Sequence, residues 1–254
     1  MLSRNFRLQK VGDLRWLQKN YNFTQTAFSI DELIILDVTR EDRDAKKFGY
    51  HVSKIAEECF IPIAVGGGIR SVNQVRELLY AGADKVVINT LFDFCPDTII
   101  EIAKEFGNQC VVAAVDVKHS AQGFTVWTEN GAREQVCSFT EWINKVVDLP
   151  IGEVYLNSMN RDGTGQGYFL EMLDKLPSPM RVPLIIAGGA GNHQHLSAAL
   201  LDHRVDAVAT ANLLNFVGDG LMKARDSMIA ADFDLARWDA ACAKELKNKL
   251  YSAG

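Results

Sequence analysis

An α/β fold built on a parallel sheet is predicted by three features of this 254-residue chain: short apolar runs, helix-like segments between them, and an internal repeat. Runs rich in Val, Ile and Leu recur at Glu32–Asp37, Ile61–Val65, Lys85–Asn89, Val111–Asp116, Glu153–Asn157, Leu184–Ala187 and Ala207–Thr210. Each is apolar almost throughout, as expected of strands covered on both faces. Helical patterns separate them. Ser71–Tyr80 is one, with Ser71 placed as an N-cap and Ala81-Gly82 beyond its end. No Pro- or Ser-rich linker interrupts the alternation, so residues 1–254 are expected to form a single domain.

The repeat extends this to a TIM-like (β/α)₈ barrel assembled from two half-barrels. Ile61-Pro62-Ile63-Ala64-Val65-Gly66-Gly67-Gly68 resembles Val182-Pro183-Leu184-Ile185-Ile186-Ala187-Gly188-Gly189, with Pro62 and Pro183 separated by 121 positions. The same offset relates Glu32 to Glu153 and Arg40-Glu41 to Arg161-Asp162, and 122 positions separate Asp84 from Asp206. A closed barrel needs eight strands, and only seven runs are found. Subtracting the offset from Asp116 places its counterpart ahead of Met1, so the first strand is expected to be truncated or absent. The alternative is that Phe6–Val11 supplies a makeshift first strand. Gly123–Trp127 reads as part of a hairpin following the strand that ends at Asp116.

Composition narrows the function classes. Apolar residues make up 48% and charged residues 23%, which excludes a disordered chain, collagen and a coiled coil. Net charge is −5 and the basic residues are dispersed, so no nucleic-acid partner is expected. Cys59, Cys95, Cys110, Cys137 and Cys242 are widely spaced without a CxxC pair, which points to reduced thiols and a cytoplasmic location. No apolar run approaches membrane-spanning length, and Arg4, Arg7, Lys10, Asp13 and Arg15 punctuate the first twenty residues; neither a membrane span nor a signal peptide is expected. His193 and His195 lack a carboxylate at ligand spacing and read as helix-start residues. Gly163-x-Gly165-x-Gly167 lacks the dinucleotide fingerprint, and there is no Walker motif. No metal and no cofactor are therefore called for. Arg225, Asp226, Asp232, Asp234 and Arg237 read as a solvated helical region.

In such a barrel, function gathers at the C-terminal ends of the strands. Glycine turns follow the strands ending near Val65 and Ala187, and each leads toward a helix. Gly67 and Gly68 in one, and Gly188 and Gly189 in the other, can cradle phosphate through backbone amides or simply make tight turns. Asp116 ends an apolar strand, where desolvation lifts a carboxyl toward neutrality and suits it to general acid or base work; a structural aspartate bonded to loop amides is the alternative. The loop Asn160-Arg161-Asp162-Gly163-Thr164-Gly165 contacts substrate or stabilises the rim.

At these residues the chain resembles the paired isomerase and cyclase barrels of histidine biosynthesis, on the side of the cyclase subunits of imidazole glycerol phosphate synthase. The matching stretches are Asp31–Asp37, Val65–Ile69, Gly82–Val86 with Asn89-Thr90, Val115–Lys118, Arg161–Thr164 with Gly167-Tyr168, and Gly188–Gly191, and the resemblance covers about residues 27 to 216. It implies a subunit that takes ammonia from a separate glutaminase subunit and adds it to a bisphosphorylated, nucleotide-derived substrate. Asp116 would be one of two catalytic aspartates. Gly68, Asn89, Thr90, Gly163, Gly189, Ala211 and Asn212 would line two phosphate sites, the last being usually serine in the family. Glu32, Lys85 and Glu153 match three of four charged residues that gate ammonia at the bottom of the barrel; such a ring is also a common structural plug. The family's other aspartate, on strand one, and a lysine soon after it have no match before Asp31. The wording of Asn5–Lys10 and Asn212–Phe216 is closer to paralogues in surface-polysaccharide clusters, which work beside a glutaminase and a sugar amidotransferase. An enzyme subunit and an ammonia-conducting scaffold are thus the two expectations.

Overall fold

A computed structural model describes residues 2–4, 7–9, 16, 29–40, 42–211, 213 and 220–237. Two short strands, β1 (Leu2–Arg4) and β2 (Arg7–Gln9), form an antiparallel hairpin in a sheet of their own. Residues 7–9 therefore do not pair with the main sheet. That sheet comprises β3 (Leu33–Leu36), β4 (Ile63–Gly66), β5 (Lys85–Ile88), β6 (Val111–Ser120), β7 (Gly123–Thr128), β8 (Arg133–Glu134), β9 (Glu153–Ser158), β10 (Leu184–Ala187) and β11 (Ala207–Val208). Seven of these strands are parallel, in the order β3, β4, β5, β6, β9, β10, β11. The sheet curls as in a TIM-like barrel, and among the described residues no strand joins β3 to β11. β6 runs past Asp116 to Ser120 because its last residues pair antiparallel with β7, from Asp116 opposite Trp127 to Ser120 opposite Gly123.

Helices α1 (Ala45–Ala56), α2 (Val72–Tyr80), α3 (Leu91–Phe94), α4 (Pro96–Phe106), α5 (Phe139–Val147), α6 (His193–Leu200) and α7 (Gly220–Ala230) cover the outside. Their starts follow from local chemistry. Asp44, Ser71, Ser138 and Asn192 each accept a backbone N–H of the first turn, and Ser138 with Glu141 completes a reciprocal capping box. The main core lies between sheet and helices, where the outward-facing Val65, Val86, Ile88, Val111, Val154, Leu156, Leu184 and Ile186 are buried. A smaller inner core joins Ala64, Val87 and Val112 to Ile34, Ala114 and Tyr155.

The 121-residue offset carries over to contacts. Leu33 N–H donates to the Pro62 carbonyl, and Val154 N–H to the Pro183 carbonyl, at 3.0 and 2.9 Å. Asp84 Oδ2 accepts from Ile63 N–H at 2.8 Å, and Asp206 Oδ2 accepts from Leu184 N–H at 2.8 Å. Each aspartate thereby fixes the start of the strand beside its own. Arg225 departs from the solvated reading: it is 8% exposed and its guanidinium donates to Asp31 at 2.8 and 3.0 Å and to the Ala236 carbonyl at 2.7 Å. This ion pair links α7, which follows the last strand, to the residues just ahead of β3. A lone charged side chain can be buried only when so partnered. Asp226, Asp232, Asp234 and Arg237 are exposed as expected, but only Asp226 is helical, because α7 ends at Ala230.

Replacing Asp84 or Asp206 by alanine should each lower the free energy of unfolding by about 1 kcal/mol, and the pair should add, because each removes one acceptor from a strand-starting N–H. Urea denaturation of the two single variants and the double variant measures this.

Candidate functional site

Inward-facing positions recur with period two along the parallel strands, and that periodicity builds the site in layers. On β9, Glu153, Tyr155 and Asn157 share the inner face; on β6, Val112, Ala114 and Asp116 do. Glu32, Ile34 and Leu36 follow the same parity on and just ahead of β3, as do Lys85, Val87 and Asn89 along β5 and its end. Charged groups therefore occupy the N-terminal layer, apolar groups and Tyr155 the middle, and Asn89, Asp116 and Asn157 the C-terminal layer. Four residues of strand separate the outer layers, about 13 Å. A cavity of about 2220 Å³ reaches from Glu32 to Asp116 along the inner faces, bordered there by Ile34, Val87, Ala114, Tyr155 and Ile185, and extends outward to Tyr50, Leu200 and Met228 on the helices.

Asp116 is held by amides. Asn157 Nδ2 donates to its Oδ1 at 2.9 Å, and Asn89 Nδ2 approaches its Oδ2 at 3.4 Å while donating to the Ala114 carbonyl at 3.1 Å. Burial pushes the Asp116 carboxyl up to about 7, against the Asn157 hydrogen bond, which lowers it, and helped by the negative charge of Asp162. A carboxyl poised there gives or takes a proton at neutral pH.

The two glycine turns flank this carboxyl at matching positions. Gly67 has φ +111°, and a Cβ on it would collide with the Asp37 carbonyl at the end of the neighbouring strand. Gly188 has φ +86°, and a Cβ on it would lie 2.5 Å from the Ser158 carbonyl. Asp37 and Ser158 are themselves related by the 121-residue offset. Only glycine fits at either point, and both turns open onto the cavity that Asp116 lines. Gly68, Asn89, Thr90, Asp162, Gly163, Gly189 and Ala211 border the same cavity, whereas Asn212 lies outside the described residues. Thr90 Oγ1 accepts from Glu129 N–H at 3.2 Å, which ties the β7–β8 turn to the rim.

At the opposite end, Lys85 Nζ donates to Glu32 Oε2 at 2.7 Å and to Glu153 Oε1 at 2.6 Å. Burial pulls the Lys85 ammonium down, but its bonds to Glu153 and Glu32 outweigh this and keep it above the usual lysine range. Burial pushes the Glu32 carboxyl up, against the attraction of Lys85. Glu32 Oε1 and Glu153 Oε2 remain buried without a hydrogen-bond partner.

No group of three or more metal-ligating side chains occurs among the described residues. His193 starts α6, and His195 Nδ1 accepts from Gly191 N–H at 3.1 Å. Cys59 and Cys110 are buried free thiols, Cys95 is exposed, and Cys242 lies outside the described residues. Tyr155 and Arg43 are site residues that sequence reasoning did not single out. Counting by twos from Glu153 would have found the first.

Comparison with known proteins adds to this geometry. A family described as Histidine biosynthesis protein matches residues 16–218. The chain belongs to that family. Among its relatives, a protein of Parasynechococcus marenigrum with the provisional name imidazole glycerol phosphate synthase subunit hisF2 is 45% identical over 238 residues, covering 93% of this chain and 88% of the relative. The imidazole glycerol phosphate synthase subunit HisF of Caulobacter vibrioides is 39% identical over 207 residues, covering 81% and 80%. That of Alkaliphilus metalliredigens is 35% identical over 231 residues, covering 91% and 90%. No helix among the described residues of this histidine-biosynthesis family member is long and apolar enough to cross a membrane.

The Asp116 proton is linked to stability. Its pKa is raised on folding, so the folded state holds the proton longer than the unfolded chain, and stability falls as pH rises from 3.8 to about 7. Asp116→Asn should flatten that part of the stability profile, as measured by denaturation at stepped pH; an unchanged slope would mean that Asp116 is solvated.

Proposed function

We propose that this chain is the cyclase-type subunit of an imidazole glycerol phosphate synthase, adding ammonia to a bisphosphorylated, nucleotide-derived substrate. One observation carries the reading: a carboxyl raised to about 7 sits between two matched glycine turns, at the opposite end of the inner strand faces from the Lys85 ring. The turns suit an elongated ligand with a phosphate at each end, because backbone amides at such turns favour anions. Gly67, Gly68, Asn89 and Thr90 would hold one phosphate; Gly163, Gly188, Gly189 and Ala211 would hold the other, with Asp162 beside it and Asn212 continuing that turn. Asp116, fixed by Asn157, would then move a proton at the reacting centre.

Ammonia would enter from a glutaminase partner at the bottom face. Glu32, Lys85 and Glu153 form its gate in this reading, and the apolar interior beyond would carry a neutral molecule rather than an ion. Three exposed apolar side chains favour docking there. Phe60 precedes β4, Tyr80 ends α2 and Leu201 follows α6, all at the strand-start end of the fold, and Tyr80 is 86% exposed. Solvated aromatic residues of this size are enriched where partners bind.

A second reading makes the chain a scaffold that passes ammonia toward a sugar amidotransferase in surface-polysaccharide synthesis. It is favoured by the sequence, in which the family's second aspartate finds no match before Asp31, and a paired acid and base need a second group.

Expression in a histidine auxotroph that lacks its own cyclase should restore growth; failure beside a functional glutaminase would favour the scaffold. In the reconstituted complex, Lys85→Met should lower glutamine-dependent turnover at least about tenfold while turnover on ammonium salts stays near the native level. Equal loss on both nitrogen sources would remove the gate from this account.

A further inference from the structure

At the first glycine turn a guanidinium overlies the backbone. Arg43 sits in the loop after β3, next to Asp44, the N-cap of α1. A Cβ on Gly68 would lie 2.6 Å from Arg43 Cδ and 2.8 Å from its Nη1, so this side chain crosses directly over the turn. Its Nε is 3.7 Å from Asp37 Oδ2, a charge contact too long for a hydrogen bond, and is buried with no hydrogen-bond partner. Asp37 Oδ1 already accepts from Thr39 N–H at 3.0 Å. A buried donor without an acceptor is uncommon and calls for an explanation. Arg40 and Arg70 line the same mouth.

The second turn differs. Arg161, the repeat counterpart of Arg40, also borders its glycine turn, but its Nη1 donates to the Gln166 carbonyl and Oε1 at 3.4 and 3.3 Å. Its guanidinium also lies 5.5 Å from the centre of the Phe169 ring. That cation is committed within the loop.

We propose that Arg43 is a ligand-recognition residue that receives a phosphate oxyanion seated on the Gly67-Gly68 turn. The inference rests on reading the two turns as phosphate cradles, and it makes them unequal. Arg43 Nη1 lies over Gly68, while Nε with Nη2 forms the side of the guanidinium fork, which matches two oxygens of one phosphate. Asp37 holds the fork over the turn before the ligand arrives, and the phosphate supplies the acceptor that Nε lacks. The second turn holds its phosphate chiefly through backbone amides.

Inorganic phosphate is a sufficient probe, followed on the whole chain by amide NMR with Gly68 and Gly189 read separately. Both amides should shift with phosphate in the native chain. In Arg43→Gln, half-saturation at Gly68 should move to phosphate concentrations at least about tenfold higher, with Gly189 unchanged. Arg43→Lys keeps the charge but loses the fork and should fall between; the spectra themselves report whether each variant is folded. Equal titration of Gly68 in all three proteins would overturn the role of Arg43 and leave the cradles standing. A native chain whose Gly68 amide ignores phosphate would overturn both.

Discussion

Side chains on a strand alternate between two faces, and in a curled parallel sheet one of those faces is the interior of the molecule. That alternation governs the whole of this protein. A strand such as β9 must place a charge, an intermediate group and a polar amide at successive inner positions, while Val154 and Leu156 between them pack outward against the helices. A slip of one residue would bury Glu153 and Asn157 under helices and turn the core inward. The matched aspartates Asp84 and Asp206 act against such a slip, since each fixes where the neighbouring strand begins.

From this constraint the chemistry at the top layer follows. Asp116 is desolvated because its strand neighbours are apolar and its own end lies inside the sheet, and it is oriented because Asn157 occupies the equivalent inner position on β9, its paired neighbour. Burial pushes the acid upward. One good amide hydrogen bond moderates the effect and leaves the carboxyl near neutrality, where either protonation state is accessible. The lower layer obeys the opposite logic. Two carboxylates surround one ammonium, and the attraction keeps Lys85 charged despite its burial.

Much of this was legible in the sequence. The seven parallel strands appear as seven apolar runs, because burial on both faces removes the polar alternation of an exposed strand. The repeat located the paired turns and the Asp84–Asp206 correspondence, and Ser71 marked the start of α2. Boundaries were less legible. β6 continues to Ser120 because β7 supplies a partner, and pairing of that kind is a tertiary fact that composition does not record. Arg225 looked solvated because a helical charge pattern does not reveal a partner 194 positions away in Asp31. The role of Arg43 is not legible in the sequence for a similar reason: its closeness to Gly68 depends on how the loop after β3 folds over the next strand's turn.

In the proposed function, the two glycine turns hold the two ends of one ligand, with Asp116 between them. Competition binding with a series of linear alkane bisphosphates of increasing length tests it most directly. Two anchors on one ligand raise affinity through effective concentration only when the span fits. Affinity should therefore rise to a maximum at one chain length, well above that of the matching monophosphate. Affinity that is indifferent to length, or equal for mono- and bisphosphates, would contradict the account.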